Sequence, residues 1–92
     1  MEKKYKPLQE FLSSISKNTI SIHLSFSEIE AIIGSKLPPS AYKHIAWWAN
    51  QKYSDHVQTR SWVDIGWMVK KPNLKSMSVI FVRGKNIRSS SY

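Results

Sequence analysis

An α+β fold is expected from three features of the sequence. Four stretches carry apolar residues at helical spacing, one short stretch near residue 20 alternates apolar with polar, and two apolar runs near the C-terminus are separated by a polar loop. The chain has 92 residues with a formal net charge of +8, enough for one small core and too few for two. Residues 1–88 are therefore expected to form one globular domain. The end, Ser89-Ser90-Ser91-Tyr92, reads as a disordered tail.

The first helix is expected at about 6–16. Pro7 suits a first turn, and Leu8, Phe11, Leu12 and Ile15 recur at i, i+3, i+4 and i+7. Ile20, Ile22 and Leu24 alternate with Ser21 and His23, which predicts a half-buried strand at 20–24 with His23 on its outward side. Two overlapping capping boxes follow, Ser25 with Glu28 and Ser27 with Glu30. They predict a second helix over 26–33, buried along Ile29, Ile32 and Ile33 and stopped by Gly34 in a left-handed cap.

Pro38-Pro39-Ser40 is suited to start a third helix, expected over 39–52. On that helix Ala41, Ile45, Trp48 and Ala49 share the core side, while Lys43, Trp47 and Asn50, flanked by His44 and Gln51, face out. A fourth helix is expected over 55–65, capped at Ser54 or Asp55, with Val57, Ser61, Trp62 and Ile65 toward the core and Gly66 as its stop. Strands at 67–71 and 77–83 then form a C-terminal β-hairpin.

Several functional classes are disfavoured by composition. The chain has no Cys, hence no disulfide, thiol nucleophile or cysteine metal ligand, and a cytoplasmic setting is the default. No apolar run reaches the length of a membrane span, and no signal-peptide core follows the N-terminal lysines, so no membrane association is expected. His23, His44 and His56 lack metal-ligand spacing. Glu28 and Glu30 point to different sides of one helix, and no Gly-rich phosphate loop exists. Neither enzymatic activity, a metal nor a cofactor is expected.

The charge is unevenly placed. Residues 1–46 hold six Lys and four Glu, whereas 47–92 hold eight Lys plus Arg and two Asp. Beyond Asp64 there are six cations and no acidic residue. Such a field favours a polyanion. The order helix, strand, two helices across a tight turn, one more helix and a hairpin resembles a winged helix-turn-helix, in which a helix enters the major groove and basic loops hold phosphates. On this reading the partner is double-stranded DNA.

The 39–52 helix would then be the reader. Asn50 and Gln51 suit adenine, Lys43 suits guanine or phosphate, and Trp47 suits a thymine methyl or a sugar, with His44 beside them. Arg60, Lys70, Lys71, Lys75, Arg83, Lys85 and Arg88 would contact the backbone. Lys70 and Lys71 also suit protection of an exposed sheet edge. The alternative is a protein-interaction module, an inhibitor or adaptor of a nucleic-acid-handling or defence protein, using the Trp47 surface. No segment reads as a dimerisation element, which leaves the oligomeric state open.

The strings Tyr5-Lys6-Pro7-Leu8, Phe26-Ser27-Glu28-Ile29-Glu30-Ala31-Ile32-Ile33-Gly34, Leu37-Pro38-Pro39-Ser40-Ala41 and Trp47-Trp48-Ala49-Asn50, with Trp62 and Gly66-Trp67, form a further pattern. It resembles a small uncharacterised domain family of bacterial and phage proteins, over nearly the whole chain up to Arg83. The family usually has an alanine-rich segment before Trp62, where this chain has Val57-Gln58-Thr59-Arg60-Ser61. The resemblance implies a shared fold and a bacterial or phage setting.

Overall fold

The computed structural model describes residues 4–50 and 57–83, the side chain of Val57 excepted. Their elements are α1 (Lys6–Ser13), β1 (Ser21–Ser25), α2 (Phe26–Ile33), α3 (Pro39–Lys43), a 3₁₀ turn (Ile45–Trp48), α4 (Val57–Val63), β2 (Trp67–Asn73) and β3 (Ser78–Arg83). The strands form one antiparallel sheet in the order β1-β3-β2. Leu24, Val69, Val79, Phe81 and Trp67 are buried in one cluster with residues of the helices, so the helices form a layer on that face of the sheet.

Local signals placed most elements. Pro7 lies in the first turn of α1, which ends at Ser13, three residues earlier than its apolar spacing predicts. The Ser25–Glu28 capping box is present in both directions: Glu28 N–H donates to Ser25 Oγ at 3.0 Å, and Ser25 N–H donates to Glu28 Oε1 at 2.8 Å. Gly34 closes α2 with φ 75°, the left-handed conformation that glycine adopts without a Cβ clash.

Glu30 does not serve the second capping box. Its Oε2 accepts the Leu37 N–H at 2.9 Å and the Tyr42 hydroxyl at 2.6 Å, which ties α2 to the start of α3 across the turn. These two donors hold the Glu30 carboxyl below its usual range, the Tyr42 hydroxyl first and the Leu37 amide second. Hydrogen bonding to the same carboxylate pushes the Tyr42 phenol up to about 12.

The predicted 39–52 helix is not continuous. It ends at Lys43, where His44 turns to extended backbone at φ −126° and ψ 116°, and a single 3₁₀ turn follows. The reason is a competing donor. In an unbroken helix the Ala41 carbonyl would accept from the amide four residues on. Here the buried Trp48 indole N–H donates to it at 2.9 Å, folding the chain back on itself. Ile45, expected in the core, is consequently 53% exposed.

Trp48 in return joins an aromatic row through the core. It stacks on Phe26 at 4.9 Å and on Trp62 at 6.1 Å, and Trp62 meets Phe81 edge to face at 5.6 Å. The row connects α2, the 3₁₀ turn, α4 and β3, each pair adding about 0.5–1.5 kcal/mol beyond its burial. The predicted strand at 20–24 lies at 21–25, and Ile20 just before it is 71% exposed. The expected tail at 89–92 and the start of the 55–65 helix lie outside the described residues.

Replacing Tyr42 by Phe removes one charge-assisted hydrogen bond and is expected to destabilise the fold by about 1–2 kcal/mol in urea unfolding. Wild-type stability should fall as pH drops below the ordinary carboxylate range, because the unfolded Glu30 then takes up a proton that the folded one does not. It should fall again between pH 10 and about 12, where only the unfolded phenol loses its proton. The Tyr42→Phe variant should lack the alkaline fall attributable to this residue.

Candidate nucleic-acid interface

The expected base-reading residues are not brought to one surface. Lys43 and His44 are exposed at the helix break. Trp47 is half-buried, edge to face against Trp48 at 4.6 Å and against Tyr5 at 6.1 Å, and so is partly a core residue. Asn50 is turned inward. Its Nδ2 donates to the Val69 carbonyl at 2.8 Å, while its Oδ1 accepts the Val69 N–H at 2.8 Å and the Trp62 indole N–H at 2.9 Å. An amide engaged on both ends by the protein has no edge left for adenine, and the expectation that Asn50 reads bases is corrected on that ground. Gln51 lies outside the described residues.

Neighbouring polar groups complete this junction. Gln58 Nε2 donates to the Trp47 carbonyl at 3.1 Å, and the Thr59 hydroxyl donates to the Ala49 carbonyl at 3.0 Å. Gln58, Thr59, Ser61 and Trp62 are all buried and Val63 is half-buried, leaving Arg60 as the exposed residue of α4 among 58–63, with Asp64 exposed just after it. Arg60 and Asp64 approach each other at 3.6 Å one turn apart, a surface pair of small energetic value.

Arg83, expected on phosphate, is also used by the fold. Its Nε donates to the Thr19 carbonyl at 3.0 Å, and one terminal nitrogen donates to the carbonyls of Ile15 at 3.0 Å and Ser16 at 2.8 Å. Its guanidinium lies 4.3 Å from the centre of the Trp67 ring. The residue thus anchors the segment after α1 to the end of β3. Under this guanidinium the buried Trp67 indole N–H has no hydrogen-bond partner among the described residues.

The β2–β3 hairpin is where free cations collect. Lys70, Lys71 and Lys75 are exposed, and none has a carboxylate within ion-pair distance among the described residues. The regular pairing breaks between Lys70 and Asn73, and Lys71 sits there at φ 51°, a left-handed conformation that a residue with a Cβ adopts only at a cost. Met77, just before β3, has φ 55°. The Asn73 Oδ1 accepts the Ser76 N–H at 2.9 Å and so shapes the loop that carries Lys75. Lys85 and Arg88 lie outside the described residues.

Among the described residues no group of three or more His, Asp or Glu is placed to hold a metal ion, and no helix is long and apolar enough to cross a membrane. The helix layer on a three-stranded antiparallel sheet defines a small α+β domain with a basic hairpin. The family model described as a domain of unknown function, DUF7662, matches residues 5–85, and the chain belongs to that family. No curated protein and no solved structure matches it.

Asn50→Ala deletes the acceptor of two donors and the donor of one carbonyl in a partly buried junction. A loss of about 2–4 kcal/mol in unfolding free energy is expected, read from denaturant midpoints. A variant with wild-type stability would show that Asn50 does not hold the junction together.

Proposed function

We propose that the protein binds double-stranded DNA chiefly through the phosphate backbone, gripping it with the β2–β3 hairpin. The observation that carries this reading is the set of exposed lysines at 70, 71 and 75, free of carboxylate partners among the described residues, in a C-terminal stretch without an acidic side chain. The order of elements resembles that of a winged helix-turn-helix with one helix added before the hairpin, and on this reading the β2–β3 hairpin is the wing. The left-handed backbone at Lys71 supports the reading as well, since strain of this kind gathers where a surface is shaped for use.

The binding is nonspecific in character. Asn50 is committed to the fold, and the exposed part of α4 between 58 and 64 offers Arg60, itself paired, rather than a row of base-reading amides. Affinity then comes from counterion release, with Lys43 as an additional contact near the helix break. Catalysis has no part in this reading, and the family resemblance suits a bacterial or phage chromosome as the setting.

Anisotropy titration of a short random-sequence duplex should show affinity falling with salt, with a log–log slope of roughly −0.9 per phosphate contacted. Lys71→Ala and Lys75→Ala should each reduce the magnitude of that slope by about one and weaken duplexes of any sequence alike. Binding indifferent to salt, or slopes unchanged in both variants, would overturn the proposal.

A further inference from the structure

The two edges of the sheet are built differently. β2 carries exposed Lys70 and Lys71, the donor-less Pro72 and an irregularity between Lys70 and Asn73, all devices by which natural edges refuse another strand. β1 carries none of them. Its sequence is Ser-Ile-His-Leu-Ser, its pairing with β3 is regular from Ser21 to Ser25, and it lies within residues 18–27, the longest stretch free of Asp, Glu, Lys and Arg in a chain of charge +8.

The open backbone groups on this edge follow from the hydrogen-bond alternation. Arg83 N–H donates to the Ile20 carbonyl at 2.8 Å, and Phe26 N–H donates to the Met77 carbonyl at 2.8 Å. In an antiparallel ladder every second residue turns its N–H and C=O to the neighbour, so Ile20, Ile22, Leu24 and Phe26 face β3 while Ser21, His23 and Ser25 face away. The Ser25 N–H is taken by Glu28. The N–H and C=O of Ser21 and His23 have no partner among the described residues, and the highly exposed Ile20 adjoins them.

We infer that β1 is the surface on which a second copy of this chain docks, strand against strand, antiparallel about a two-fold axis at Ile22. In that register Ser21 pairs with His23 of the partner subunit and His23 with Ser21 of the partner subunit, so that every open group on the edge is satisfied reciprocally. Ile22 meets its own counterpart, and Ile20 is covered by Leu24 of the partner subunit. A second copy is the occupant that fits because two chains of charge +8 can approach closely only along a strip without ionic charge, and residues 18–27 are that strip. The product is a six-stranded sheet with the two β2–β3 hairpins at its ends, about 24 Å apart at ~4.8 Å per strand. Pairing does not depend on what the hairpins bind.

Sedimentation equilibrium of the full chain without nucleic acid should show a reversible monomer–dimer equilibrium with Kd between about 1 μM and 1 mM. Ser21→Lys places a charge on the edge and should weaken the dimer at least roughly tenfold, with circular dichroism and unfolding midpoint unchanged because Ser21 is exposed in the monomer. The chain has no native cysteine, so Ile22→Cys should form an intermolecular disulfide on oxidation, the two facing Cβ atoms lying about 4.5–5.5 Å apart. A wild-type chain that stays monomeric to about 1 mM, or a Ser21→Lys variant that dimerises as tightly as wild type, would overturn the inference. A dimer whose Ile22→Cys form does not cross-link would overturn the two-fold axis at Ile22.

Discussion

The junction at Asn50 holds the two halves of this protein together. One side-chain amide binds both backbone groups of Val69 on β2 and the indole of Trp62 on α4, while standing two residues after the 3₁₀ turn that carries Trp48. Three elements distant in sequence are thereby fixed in one geometry. These groups are partly buried, and a partner lost there is less readily replaced by water than at the surface. The aromatic row from Phe26 to Phe81 packs against the same junction and depends on its geometry.

A small core explains why so much is asked of single side chains. With one limited hydrophobic cluster, the chain supplements burial with ties between elements: Glu30 joins α2 to Leu37 and Tyr42, Trp48 reaches back to Ala41, and Arg83 collects three carbonyls after α1. Each tie removes a polar or charged side chain from the surface. Lys70, Lys71 and Lys75 of the hairpin stay outside, as does Lys43 at the α3 break.

The two edges of the sheet differ in charge and regularity. Its β2 side is basic, irregular and blunted against other strands, suited to a polyanion held by side chains. Its β1 side is neutral, regular and open, suited to a strand held by backbone groups. The proposed polyanion contact and the proposed contact between copies fall at opposite edges, and repulsion between copies is least where charge is absent.

Much of the fold was legible in the residues themselves. Pro7, the Ser25–Glu28 box, Gly34 and the alternation at Ile22 and Leu24 are short-range signals whose energetics act within a few positions, and the structure honours each of them. The burial of Trp48 and Trp62 was readable from their place on the core side of helical spacing. The site was less legible. Helical periodicity put Asn50 and Ile45 on faces of a helix that does not exist beyond Lys43, since the Trp48 indole takes the Ala41 carbonyl that would have continued it. Asn50 and Arg83 look like surface recognition residues until β2 and the segment after α1 are brought beside them. Sequence alone determined where most helices and strands begin, the capped turn at Gly34 and the excess of positive charge, because these rest on local chemistry. Which polar groups face inward was decided by the tertiary structure, because a hydrogen-bond partner 19 or 68 residues away exists only once the chain has folded.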